Sequence, residues 1–259
     1  MKNVLRKPIT ITVMALMVGQ TGLASIATYA AEQPMANGTQ TIEKRVIVQP
    51  IKVATLADFN AALINSGVKD IQLTANISIP LRTIQAKGSK NIDGNGYTLN
   101  LNGGNINSEA STVNIVENMI IQNAGAYGAP LGGTATNVTS SYKNITFSTT
   151  SKALFNLQKG TVNFSGLILG SNTTATAIEA RDINVLDDGM ISLTTDKAGI
   201  KLYAGTFTIG EAATVDVISR TEHAFENSGG GLVFNFGNLS LIANKKKCLC
   251  SKWNGTSIS

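Results

Sequence analysis

Four times between residues 153 and 242 the chain repeats one arrangement, three short strand-like runs separated by Gly, Asn or Asp. The first copy is Ala153-Leu154-Phe155-Asn156-Leu157, Gly160-Thr161-Val162-Asn163-Phe164 and Gly166-Leu167-Ile168-Leu169. Its counterparts begin at Ala177, which is 24 residues on, at Gly199, 22 further, and at Ala224. A self-similar period of this length is the signature of a coil stacked on itself. Each run alternates apolar and polar residues, as in Val162-Asn163-Phe164 and Phe207-Thr208-Ile209, so each has one face to bury. A lone strand cannot bury it, whereas a copy stacked about 4.8 Å away can. A sandwich of antiparallel hairpins would use the same alternation, but the repeats carry no Asn-Gly reversal between paired runs. The fold class is therefore all-β, a parallel β-helix or single-stranded solenoid, with about seven rungs over residues 70–242. Phe164, Val185, Ile209 and Phe234 are expected to share one inward column, and outward Asn, Thr and Ser to form hydrogen-bonded ladders.

The two ends read differently. Lys2, Arg6 and Lys7, a short apolar run from Ile9 to Val18 and the small residues around Thr28-Tyr29-Ala30-Ala31 form a secretory signal peptide, with cleavage expected after Ala30. The alternative, an uncleaved membrane anchor, would need about 20 apolar residues. Residues 31–53 read as a leader or linker, in which Val46-Ile47-Val48 is the one candidate strand. The formal charge of +5 is carried by the ends, because residues 31–244 hold 14 basic against 16 acidic side chains. A nearly neutral body lacks the basic stripe that nucleic-acid binding needs. Both cysteines, Cys248 and Cys250, lie in the last dozen residues, so the body is held by packing and ladders rather than disulfides. As Cys-x-Cys they offer half of a zinc site, with no second pair and a single His in the chain.

One helix stands out over residues 56–66. Thr55 and Asp58 make a capping pair, Leu56, Phe59 and Leu63 recur at helical spacing, and Gly67 supplies the stop. The first rung of a solenoid exposes unpaired backbone and an open core, and this helix is the natural plug. Further rungs follow, among them Asn118-Met119-Ile120-Ile121, matched 26 residues later by Asn144-Ile145-Thr146-Phe147. Residues 124–140, small and glycine-rich, are expected to bulge outward as a loop and a binding face.

The runs Ala54-Thr55-Leu56-Ala57-Asp58-Phe59-Asn60-Ala61-Ala62-Leu63, Val68-Lys69-Asp70-Ile71-Gln72-Leu73-Thr74-Ala75-Asn76-Ile77 and Asn91-Ile92-Asp93-Gly94-Asn95-Gly96-Tyr97-Thr98-Leu99 resemble the opening of the pectate-lyase-like adhesive domains of Gram-positive surface proteins. The resemblance is specific over residues 54–101 and extends in pattern to about residue 242. It implies a right-handed parallel β-helix, residues 54–244, displayed outside the cell. In that family the domain usually precedes repeat modules and a wall-attachment signal, and this sequence shows neither an LPxTG-type motif nor a basic-ended hydrophobic tail.

Pectate lyases share the fold, and their chemistry needs carboxylates holding Ca²⁺ against a uronate and an Arg to take the neighbouring proton. The candidate parts are Asp182, Asp187 and Asp188 for the metal and Arg181 or Arg220 for the base. Against them, Asp187-Asp188-Gly189 suits an ordinary corner turn, Arg181-Asp182 suits a surface pair, and the stacking equivalents of Asp182 fall near Gly160 and Gly205, so no acidic stack forms. His223 has no Ser, Cys or Asp spacing that suggests a triad.

The reading is a secreted or surface-displayed, non-catalytic adhesion module without cofactor. Its partner is a host surface glycan, a matrix protein or a bacterial wall component; no nucleic acid is bound, and no membrane span remains after signal cleavage. The alternative is a secreted polysaccharide lyase or glycoside hydrolase acting on acidic glycans, with Ca²⁺ for a lyase. Residues 245–259 read as an irregular tail. Lys245-Lys246-Lys247 implies an adenine-rich codon run, after which both cysteines and the only Trp, Trp253, appear, so a lost reading frame before a wall anchor is expected, against the alternative of a natural basic tail.

Overall fold

The computed structural model describes residues 49–148, 150–244 and the strand Leu249–Cys250, all within the second of two units into which the chain divides after Val46. The expected signal peptide, Val46-Ile47-Val48 and most of the tail lie outside the described residues. The second unit is a parallel β-solenoid of about eight turns with one helix. Among the described residues every pairing between named strands is parallel, as a coil requires and a hairpin sandwich forbids, the antiparallel bridges being isolated ones at Gly128.

Three sheet faces run its length. The first begins with Ile51–Val53, at the end of the stretch read as leader, and passes through Asp70–Leu73 and Asn91–Asp93 to Thr206–Ile209 and Leu232–Asn235. The second includes Thr98–Asn100, Met190–Thr195, Thr214–Ser219 and Asn238–Ala243. The third includes Thr83–Gln85, Asn105–Asn107, Ile200–Leu202 and Phe225–Asn227. The repeat alignment holds strand by strand: Phe155 pairs with Ile178, Thr161 with Asp182 and Ile168 with Ile191. The 26-residue match is equally real, since Met119 lies beside Ile145 and Ile121 beside Phe147.

Three expectations are corrected. Phe164, Val185 and Ile209 do stack, but the next residue in their column is Asn235; Phe234 pairs with Thr208 on the outer side and is 44% exposed. With period-2 alternation a slip of one residue turns a side chain to the opposite face. The helix runs Leu56–Ile64 rather than to residue 66, because Asn65 turns extended and its side chain accepts from the Gly67 N–H at 2.9 Å. Residues 124–140 do not bulge out as a whole. Ala124, Ala129, Leu131 and Val138 are buried, Leu131 N donates to Ile106 O, and Ala129 N to Leu154 O, so this stretch fills a rung of the third face. Its glycines serve close approach: a Cβ on Gly128 would lie 2.2 Å from Leu154 O.

The helix covers the start of the third face. Thr55 accepts from the Asp58 N–H and donates to its carboxylate, Phe59 and Leu63 are fully buried, and Leu63 O accepts from Lys87 N at 2.9 Å. The neighbouring interior is polar at its N-terminal end. Lys90, fully buried, donates from Nζ to Asn65 O at 2.8 Å and Val68 O at 2.5 Å, and Asn114 donates to Ser108, Thr112 and Ser140 while accepting from Lys90 N. Past Ser140 the same column becomes Val162, Ile183, Phe207 and Val233.

Candidate functional site

The acidic and basic residues considered for a lyase are distributed over all three edges of the solenoid. Arg181 and Asp182 lie between the third and first faces, where Arg181 Nε meets Asp182 Oδ2 at 2.7 Å. That carboxylate is already engaged: Oδ1 accepts from Thr206 N at 3.0 Å and Oδ2 from Thr161 Oγ1 at 3.3 Å. Its rung neighbours are thus Thr161 and Thr206, one residue from the glycines expected there. Asp187 and Asp188 sit at the opposite side of the first face, where Asp187 Oδ1 accepts from Glu211 N at 3.0 Å and Asp188 is exposed. Arg220 belongs to the edge between the second and third faces and pairs with Asp196 at 2.9 Å. His223 lies on that same edge, its carbonyl accepting from Gly199 N. Among the described residues no three His, Cys, Asp or Glu side chains gather as a metal site would need. Cys248 lies outside the described residues, as does the side chain of Cys250.

A cluster that the sequence reading missed occupies the third face. Glu179, Lys201 and Glu226 stack in one outward column. Glu179 Oε2 accepts from Gln158 at 3.0 Å and from Tyr203 Oη at 2.8 Å, Lys201 Nζ meets Glu226 Oε1 at 3.1 Å, and Lys201 also lies over the Tyr203 ring at 5.3 Å. Burial and the hydrogen bond to Glu179 push the Tyr203 hydroxyl well above its usual pKa. Burial works to raise Glu226, but hydrogen bonds from Ser228 and Lys201 outweigh it and hold its carboxyl below the usual range. Signs alternate rung by rung, with one ion pair, Lys201–Glu226, and with Glu179 held instead by Gln158 and Tyr203. The signal was legible only in register: residues 179, 201 and 226 occupy equivalent places in copies two to four.

The first face is chemically different. Its outer side carries Ser141, Asn163, Asn184 and Thr208 in one column and Thr139, Thr161, Asp182 and Thr206 in the next. Asn184 Nδ2 donates to Asn163 Oδ1 at 2.9 Å and Asn163 Nδ2 to Ser141 Oγ at 3.1 Å. At the edge beyond, Asn144 donates to Asn118 and Asn118 to Asp93, with Asn118 and Asn144 both in the left-handed region at φ 54° and 51°, a conformation asparagine tolerates better than most residues. These are the expected ladders. Outward apolar residues bracket the amide column, with Ile115 39% exposed toward one end and Phe234 at the other.

No helix among the described residues is long and apolar enough to cross a membrane. No curated protein matches the chain. Among solved structures it resembles the Lactobacillus reuteri 100-23 SRRP, at 19% identity and TM-score 0.48 over 76% of this chain and 80% of that one. It also resembles the Lactobacillus reuteri 53608 SRRP, at 13% identity and TM-score 0.38 over 75% of this chain and 99% of that one. The resemblance first read in residues 54–101 is met independently: residues 51–155 match the family described as "Putative pectate lyase-like adhesive domain".

Proposed function

We propose that this chain is a secreted or surface-displayed adhesion module that holds its ligand without turning it over, with residues 54–244 as the binding domain. The observation that carries the proposal is the match of residues 51–155 to an adhesive-domain family. The dispersal of Arg181, Asp182, Asp187, Asp188 and Arg220 over separate edges, with Asp182 and Arg220 already engaged, weighs against the lyase alternative. Secretion rests on the signal-like residues 1–30. The partner class is a host surface glycan, a matrix protein or a wall component. A screen of residues 31–244 against arrayed glycans and matrix proteins should give specific, saturable binding, while incubation with polygalacturonate and Ca²⁺ should give no ultraviolet-absorbing unsaturated product. Robust lyase activity lost on Arg181→Ala or Arg220→Ala would reverse the assignment.

A further inference from the structure

The three outer faces offer different chemistry, and that difference narrows the ligand. The third presents the ladder of Glu179, Lys201 and Glu226. The second presents exposed apolar side chains, Ile120, Leu167 and Met190. Across four successive rungs the first presents hydroxyls and carboxamides in two adjacent columns, and the one charge in them, Asp182, is neutralised by Arg181 at 2.7 Å. We propose that this first face binds an uncharged linear polysaccharide lying along the solenoid axis, about one sugar unit to a rung, over Ser141, Asn163, Asn184 and Thr208. The proposal rests on the adhesion reading and assigns it a face and a ligand class.

Three features support it. The repeat of the ligand groups is that of the rungs, about 4.8 Å, so four rungs present about 14 Å of regularly spaced donors and acceptors, the length of a short oligosaccharide. The carboxamides are oriented before any ligand arrives, because Asn184 and Asn163 are tied to their neighbours. Each spends one of its two amide N–H donors on the ladder and keeps the other. Orienting them in advance lowers the entropy lost on binding. Charge complementarity is the third feature: a uronate or sulfated chain would find no unpaired cation in these two columns, whereas a neutral polyhydroxyl chain leaves no ion without a partner. Ile115 and Phe234, in the same column as the amides, provide apolar ground for ring faces toward its ends.

The test titrates the full chain with cello-, xylo- and manno-oligosaccharides of two to six units and with galacturonate oligomers of the same lengths, by calorimetry at low and high salt. At least one neutral series is expected to bind with affinity rising up to about four units and little salt dependence. Asn184→Ala and Thr208→Ala should each weaken that binding by roughly tenfold, while Lys201→Ala on the third face leaves it unchanged. Thr208 lies outside the amide ladder, so its variant keeps the test valid where loss of Asn184 disturbs the rungs. Preference for galacturonate with strong salt dependence overturns the proposal. So does glycan or matrix-protein binding that Asn184→Ala and Thr208→Ala do not affect, although the adhesion reading then stands. No binding to any arrayed glycan or matrix protein removes both.

Discussion

Lys90 shows how much one side chain can hold in this fold. Its ammonium is fully buried against the carbonyls of Asn65 and Val68, which follow the helix, and burial lowers its pKa, with Glu109 nearby opposing the shift. Lys90→Ala would empty a fully buried site and leave Val68 O without its donor, while Asn65 O keeps the Val68 N–H at 3.1 Å; it is expected to cost about 2–4 kcal/mol, read from urea unfolding. A loss below about 1 kcal/mol would show that the Val68 carbonyl finds another partner and that the vacated space closes. Titration sets the pH limits. Burial would raise the Asp93 carboxyl, but hydrogen bonds from Gln72, the Asn95 N–H and Asn118 outweigh it and hold the folded pKa low. Its contribution is therefore present above an unfolded value of about 3.9 and lost as pH falls through the folded one. Burial pushes the Tyr142 hydroxyl far upward, so its contribution is complete below about pH 10 and lost as pH rises beyond it. Thermal melts should show a plateau between about pH 5 and 9.5, with Asp93→Ala reducing the acid fall, which Glu226 shares, and Tyr142→Phe reducing the alkaline fall, which Tyr203 shares.

At the scale of the element, the helix and the repeated strands were readable because their signals are local. Thr55, Asp58 and the spacing of Phe59 and Leu63 define the helix start without tertiary information, and Thr55→Ala should cost about 1 kcal/mol in thermal unfolding. Elsewhere a neighbouring rung overrides local hydropathy. Strand Val113–Gln122 buries Asn114 and exposes Val113 and Ile115, because Asn114 meets Ser108, Thr112 and Ser140 inside. Residues 124–140 look like a loop for their glycines, yet those glycines mark where two backbones touch. Gly128→Ala is accordingly expected to destabilise by more than 2 kcal/mol, from steric conflict at Leu154 O together with a positive φ of 73°. Destabilisation of a few tenths, by contrast, would mean that the segment can move aside. The outward ladders were anticipated, but the binding face was expected at residues 124–140 rather than on the first face, since which copies stack outward depends on a register that the sequence specifies only to within a residue or two.

For the whole molecule, stability is carried by contacts between neighbouring rungs. One set of these is aromatic: Tyr142, Phe147 and Phe164 surround Phe155 with ring centroids 4.8, 5.2 and 4.7 Å from it. Phe164→Ala, at a fully buried site touching two of these rings, should cost about 3–5 kcal/mol. Hydrogen exchange would then show protection falling first in the rungs on either side of residue 164, and a uniform fall along the chain would argue for a single cooperative unit instead.

The buried column that begins with Lys90, Asn114 and Ser140 and continues as Val162, Ile183 and Phe207 bears on how such a chain finds its own alignment. A coil of near-identical repeats is degenerate: displaced by one turn, most of its backbone ladder could re-form. Here the surface is nearly periodic while the interior is not. Sliding the chain by one turn would set the ammonium or the amides against aliphatic neighbours with no acceptor in reach, so the misaligned states are penalised from within. The interior thus acts as an address that numbers the turns, which leaves the exterior free to repeat one chemical motif as many times as a long, regular ligand can use.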